Sequence, residues 1–441
     1  MKFIINQYKN FKINNFFIVK TLFYFFPVIL LFPSGYITAH VSILSIVGLI
    51  LIYKNNLKIK MLLIDYLVFL LFFLSFFSSL INIATLGNLI FIKSIFDVRF
   101  AIFFFVIRNI LNNKIVNLKI LSIVALTSSI FLSLDIFLQH FIGHDILGFE
   151  PFEGRYNGFF GHEAIAGGYI QKFFLLSLLT IFLLDFKMIT KFFLITFTII
   201  ILGLGVLLSL DRMPFIIFIL SIVMLFIFLK NFRYLFFFNL IILSTLFLFF
   251  IKNYETVKIR YEYFNRDINF QKILDISKIN NNIEISEEAK KTFSKNNKLF
   301  HGDYSKLYHA AYLVFLKNYL IGSGVKSFIY ECVRLNVDTK IISCNNHPHN
   351  IYLEILVNIG VLGMLIFISI LFSIIKIIIK NLSNNIDNNQ KITLIIFLVI
   401  FISELWPIRS YGSIFQTVNG SMFWFLLSII SVKNIDKKIN L

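Results

Sequence analysis

The sequence predicts an all-α polytopic membrane protein, with about twelve transmembrane helices and one large outer loop containing short helices. Three observations carry this reading. Of 441 residues, 58% are hydrophobic, and mean hydropathy is +0.84, far from the balance of a soluble domain. Apolar runs of about 18 or more residues, enough to cross a hydrocarbon core, recur along most of the chain. They lack the period-two alternation of a membrane barrel, so helices are left to satisfy the backbone in lipid. Lysine and arginine crowd into every second connection, the bias that sets orientation.

Twelve spans are expected, near 16–34, 37–53, 61–81, 91–110, 117–139, 163–185, 190–209, 213–230, 233–251, 351–379, 391–408 and 418–433. Lys2, Lys9 and Lys12 precede the first run. No small-residue cleavage site follows, so that run reads as an uncleaved first helix. With the N-terminus inside, the inner connections hold Lys54, Lys58 and Lys60; Arg108, Lys114 and Lys119; Lys187 and Lys191; Lys230 and Arg233; Lys376, Lys380 and Lys391. The outer ones hold Arg155, Arg212 and Arg409, with Lys93 near a boundary. Both termini are expected in the cytoplasm. The formal charge of +18 is then mainly a topology signal with some affinity for anionic lipid, not a nucleic-acid footprint.

The chain divides into 1–251, helices one to nine; 252–350, an outer loop subdomain; and 351–441, helices ten to twelve with a tail. In the loop, residues 276–298 are polar and expected to be mobile. Tyr304, Leu307, Tyr308, Ala311, Tyr312 and Phe315 then recur at helical spacing until Gly322-Ser323-Gly324 stops that helix. On an oxidising face, Cys332 and Cys344 are most simply a disulfide. A zinc site with His347 and His349 has suitable ligand types but matches no strong zinc spacing.

The stretch CNNHPHNIYLEILVNIGVLG, residues 344–363, holds His347-Pro348-His349-Asn350 where the tenth span begins. Asn350 is a good N-cap, and Pro348 keeps the helix from starting earlier. The imidazoles therefore fall at the outer surface beside a helix N-terminus, which favours the neutral ring. A neutral ring can take a hydroxyl proton as general base; the plainer reading is a histidine that lines the interface or bonds backbone. Arg155 in EGRYNGFFGHEAIAGGY and Arg212 in LLSLDRMPF lie on the same face. Guanidinium groups suit phosphate oxygens, although each could snorkel, and Arg212 could pair with Asp211. Together these groups suggest a lipid-linked phosphate or diphosphate handled at the outer surface. Asp97, Asp135, Glu163, Glu354 and Glu404 fall in or beside spans, where carboxylates are candidates for function. Asp97 could instead pair with Arg99. Gly360, Gly363 and the small residues of GHEAIAGGY read first as close helix packing.

Four stretches, RYNGFFGHEAIAGGY, LLSLDRMPF, KLYHAAYLVFLKNYLIGSGVKSF and HPHNIYLEILVNIGVLG, in this order around one large outer loop, carry a family resemblance. The chain resembles the O-antigen ligase and O-antigen polymerase superfamily of bacterial envelope glycosyltransferases. The resemblance implies a GT-C-like, metal-independent and cofactor-free transferase in the inner membrane, with its large loop in the periplasm. The donor would be an undecaprenyl-diphosphate-linked glycan and the acceptor lipid A-core. Arg155 and Arg212 would bind the diphosphate. His349 would activate the acceptor hydroxyl, with His347 and Asn350 supporting it. In-line attack opposite the lipid diphosphate would invert the anomeric centre. Many ligases carry an arginine in the loop helix; here Tyr304 and Ser305 stand thereabouts, and His301 or Lys306 are the cations that could replace it. The rival readings are an O-antigen polymerase, a protein O-oligosaccharyltransferase and, in a different class, a polytopic transporter or flippase. The chain shows no internal repeat of the kind common in transporters.

Overall fold

The computed structural model describes residues 2–54, 57, 59, 61–267, 303–335, 342–384 and 386–432. His301 and the polar stretch 276–298 lie outside them. Among the described residues the chain is all helical, with one isolated bridge between Phe152 and Arg155. The helices are α1 (Lys2–Ile29), α2 (Ser34–Lys54), α3 (Leu63–Ile81), α4 (Asn88–Asp97), α5 (Arg99–Asn112), α6 (Leu118–Ile142), α7 (Ala166–Leu183), α8 (Met188–Leu208), α9 (Arg212–Phe228), α10 (Arg233–Asn253), α11 (Glu255–Asp267), α12 (Asp303–Lys317), α13 (Phe328–Val333), α14 (Ile351–Leu382), α15 (Asn388–Glu404) and α16 (Thr417–Ile430). A single turn, Ile83–Leu86, precedes α4.

Seven of the described helical stretches are long and apolar enough to cross a membrane: α2, α3, α6, α7, α8, Lys230–Asn253 and α14. Phe16–Ile29, α9 and α16 are apolar but shorter. Phe193, Tyr234, Leu248 and Phe372 point outward, as apolar side chains do where the surrounding medium is lipid. The centre of the bundle is α7, enclosed by α6, α8, α9 and α15. Covered all round, α7 bonds a neighbour through Tyr169 Oη, which donates to the Pro27 carbonyl at 2.7 Å. Arg108 and Asp65, both fully buried, pair between α5 and α3.

Two expected spans are not single helices. The run at 91–110 divides between α4 and α5 at Val98. Asp97 does not take Arg99 as its hydrogen-bonded partner; both its oxygens accept from Lys326 Nζ at 3.0 Å. The tenth span, α14, breaks at Gly360, where φ is 71° and ψ −164°. The residues Tyr319–Gly324 dock into that break and exchange partners with it. Val357 and Asn358 carbonyls accept from Ser323 N and Gly324 N at 2.8 and 3.0 Å, while Val361 N and Leu362 N donate to Tyr319 and Leu320 carbonyls at 2.8 and 3.2 Å. Four of the backbone groups at the break are thereby satisfied. Gly360 serves this break rather than a helix crossing. A Cβ there would collide with the Leu320 carbonyl, and one on Gly322 with the Asn358 backbone.

The helix expected in the 252–350 segment is α12, ending at Lys317 before the Gly322-Ser323-Gly324 turn. Its Leu307, Ala310, Ala311 and Val314 form a small second core with Phe328, Cys332 and Val357. Cys332 and Cys344 are disulfide-bonded, with Cα atoms 5.7 Å apart. This bond ties the end of α13 to the segment that leads into the histidine pair.

Candidate functional site

A tight turn presents Arg155. Glu153 and Gly154 both have positive φ, 50° and 67°, and the Phe152 and Arg155 backbones exchange two hydrogen bonds of 3.0 Å, the pattern of a two-residue hairpin turn. The Arg155 guanidinium pairs with Asp211 at 3.3 Å. Asp211 precedes α9, and its second oxygen accepts from Gly167 N at 3.2 Å. The seat is tight, because a Cβ on Gly167 would meet Ser209 and Asp211; this is the packing role expected of the small residues in GHEAIAGGY. Burial pushes the Asp211 carboxyl up to about 6 against the opposing charge of Arg155. Arg212 opens α9 directly beside it.

A third guanidinium joins them. Arg260, on α11, donates to the Leu210 carbonyl at 3.4 Å. Burial holds its pKa below the usual guanidinium range, and the charges of Arg155 and Arg212 lower it further. Three arginines thus converge around one buried carboxylate, which offsets part of their mutual repulsion. Such a concentration of forked donors suits an oligoanion such as a diphosphate.

His349 faces this group. Its backbone is left-handed, with φ 55°, and its carbonyl accepts from Tyr411 N at 2.8 Å. Its ring lies edge-on to Tyr304, with centroids 5.8 Å apart, and 4.1 Å from the ring of His347. Burial lowers the pKa of His349, and the charge of Arg155 lowers it further. Arg155 is therefore within electrostatic reach of the imidazole. Burial and the neighbouring His349 drive His347 down to about 3. The neutral state expected from the helix N-terminus thus rests chiefly on burial and Arg155. Asn345 Nδ2 donates to His349 Nε2 at 3.1 Å. An amide nitrogen only donates, so this bond places the lone pair on Nε2 and the ring proton on Nδ1.

Asn350 caps α14, its Oδ1 accepting from Tyr352 N and Leu353 N at 3.0 and 3.2 Å. Its amide also donates to the Pro407 carbonyl at 2.8 Å. The segment after α15 therefore grips both His349 and Asn350. That segment rests on a buried network. Arg409 donates to Glu404 at 3.0 Å and to Gln171 at 2.6 Å, and Tyr411 Oη donates to Glu404 at 2.6 Å. Lys172 and Arg409 lie over the Tyr411 ring, 4.3 and 4.7 Å from its centroid.

The expected residues Arg155, Arg212, His347, His349 and Asn350 therefore meet at one end of the bundle. Lys306 lies on α12 two residues after Tyr304, and His301 lies outside the described residues. The third cation beside Arg155 and Arg212 is Arg260, which sequence reasoning missed. It sits in a polar helix with no motif to mark it. Asn345, Tyr304 and Tyr411 were also missed. Arg409, expected as an outer boundary cation, is buried in the network behind the site.

Residues 197–368 match the family model described as O-antigen ligase. Over this region the chain is similar to the O-antigen ligase family. No curated protein matches it. The matched segment contains Arg212, Arg260, Tyr304, both site histidines, the disulfide and the break in α14. Arg155 and the Glu404–Tyr411 support reach the site from outside the matched segment.

Proposed function

We propose that the chain is an O-antigen ligase that transfers a glycan from undecaprenyl diphosphate to lipid A-core at the periplasmic face of the bacterial inner membrane. The observation that carries this reading is that the His349 imidazole lies within electrostatic reach of Arg155, whose charge is in turn felt, with that of Arg212, by Arg260. A general base and an oligoanion cradle in one site are what attack on a diphosphate-activated sugar requires.

The diphosphate of the donor seats on the three arginines. The acceptor hydroxyl gives its proton to His349 Nε2 as its oxygen bonds to the anomeric carbon. The bond from that carbon to the diphosphate oxygen breaks, and its electron pair leaves with undecaprenyl diphosphate. Attack from the face opposite the leaving group inverts the anomeric centre. The arginines stabilise the charge that grows on the leaving group, where a well-placed donor is typically worth a few kcal/mol. Asp211 holds Arg155 in place. Asn345 keeps Nε2 of His349 unprotonated in the free site, and the acceptor hydroxyl takes the place of the Asn345 amide at that lone pair. In the membrane, the reading has twelve spans, both termini in the cytoplasm and the loop 252–350 in the periplasm, in line with the alternation of basic connections.

Purified enzyme, lipid-linked glycan and lipid A-core provide the test. His349→Ala is expected to lower transfer by roughly 10²–10⁴-fold, the usual contribution of a general base, without loss of folded protein. Full activity in this variant would remove the base assignment. Extension of the carrier-linked glycan with no product on lipid A-core would identify a polymerase instead.

A further inference from the structure

The histidine pair has a second side. A cavity of about 260 Å³ opens there, bounded by Lys93, Lys326, Asn346, His347, Glu354 and Asn358 among others. The arginines that would hold the donor are not among its lining residues, and His347 belongs to its wall. We infer that this cavity seats the terminal sugar of the acceptor, so that the histidine pair stands between acceptor and donor. The inference rests on the transfer reaction proposed above.

The polar groups at the base of the cavity are built in. Asn358 is 2% exposed, and its Oδ1 has no hydrogen-bond partner. A buried acceptor left unpaired is destabilising, and a ligand hydroxyl would offset that cost. Glu354 is 3% exposed; one oxygen accepts from Ile414 N at 3.1 Å, and a carboxylate has further acceptor capacity. The ring nitrogens of His347 are buried with no well-formed hydrogen bond. These groups offer several directed acceptors at short range, a pattern that matches a polyhydroxylated ring rather than an apolar ligand. The charged groups are arranged differently. Lys326 is already bound by Asp97, whereas Lys93 is exposed. A single exposed ammonium beside a hydroxyl-matching floor fits a sugar carrying an anionic substituent, a phosphate or a carboxylate.

The position also suits the chemistry. The His347 ring lies 4.1 Å from that of His349. A sugar held against His347 and Asn358 therefore brings its hydroxyls to the edge of the base, and only a hydroxyl extending past His347 meets Nε2. Asn358 gains its position from the break in α14, since its carbonyl is bound by Gly324 N and Ser78 Oγ at 3.0 and 2.9 Å. In a continuous helix that carbonyl would be taken by Leu362 N. The break thus fixes one of the residues that line the cavity.

The test is equilibrium binding of delipidated core oligosaccharide to the full chain in detergent, by titration calorimetry. Lys93→Gln and Asn358→Leu are each expected to weaken binding by about tenfold, the equivalent of one lost directed contact. Arg155→Gln, on the donor side, is expected to leave it unchanged. Because Asn358 supports the break, its variant is checked by thermal unfolding, and the exposed Lys93 serves as the variant that does not touch the fold. Enzymatic removal of phosphate from the oligosaccharide reports which anion Lys93 meets: weaker binding means phosphate, unchanged binding a carboxylate. Failure of the unaltered chain to bind the oligosaccharide, or binding by both cavity variants as tight as that of the unaltered chain, overturns the inference. Failure of the ligase reading is separate: it appears as absent transfer in the enzyme assay.

Discussion

His349 holds a left-handed backbone that costs a non-glycine residue about 1–3 kcal/mol and persists only where its surroundings enforce it. Tyr411 N, on a segment anchored by Glu404 and Arg409, supplies that enforcement. Glu404→Gln would leave Arg409 and Lys172 buried without their carboxylate, a loss of roughly 3–5 kcal/mol that thermal unfolding in detergent would register. The pH behaviour follows from the histidines. Burial and Arg155 depress the pKa of His349, so the base remains free at pH values where an ordinary imidazole is half protonated. The acid limb of kcat/KM is expected below pH 6.5, and Arg155→Gln should move it upward; a limb at or above 6.5 would contradict the assignment. Stability runs the same way. His347, with its folded pKa near 3, binds its proton more readily when unfolded, so stability is full above about pH 6.5 and declines as pH falls towards 3. His347→Phe should flatten that decline. His349, Asn350, Arg155 and Arg212 stand out in the sequence because each sits in a short local pattern, and the structure brings them to one end of the bundle. Arg260 was not readable, because only the packing of α11 beside α9 brings it to the others. The support behind His349 joins Gln171 to Arg409, 238 positions apart, and no local pattern records such a contact.

At the scale of elements, a continuous apolar run conceals a broken helix. Residues 351–379 have the composition of one span, yet Gly360 interrupts it and Tyr319–Gly324 fills the gap. Glycine is the only visible sign, and its packing role is the commoner reading. Asp97 is the comparable sign at the join of α4 and α5, where its real partner, Lys326, is 229 positions away. Gly360→Ala is expected to cost at least about 1–3 kcal/mol from backbone strain alone, with a further cost from the clash with Leu320. Size-exclusion profiles and melting curves of the detergent-solubilised variant would show a reduced folded fraction. An unchanged melt would mean that the break can relax into a regular helix. The N-cap at Asn350 and the stop of α12 before Gly322, in contrast, follow from residue chemistry acting within one turn, and both were read from sequence.

For the molecule as a whole, hydropathy sufficed to read an all-helical membrane chain, because lipid allows few alternatives to helices. Which helices surround α7, and how the outer loop folds back on α14, depend on tertiary packing that composition does not encode. That packing assembles groups from α9, α11, α12, the turn at Arg155 and the segment after α15 into one site. On the proposed reading, this site transfers a carrier-linked glycan to lipid A-core. The most direct test is a surface-polysaccharide gel of a deletion strain complemented with the native chain or with His349→Ala, run beside an assay of lipid-linked glycan. The account predicts a ladder on lipid A-core with the native chain. With the variant it predicts loss of that ladder and polymer accumulated on its carrier. A full ladder with the variant, or an unchanged ladder in the deletion strain itself, would contradict it.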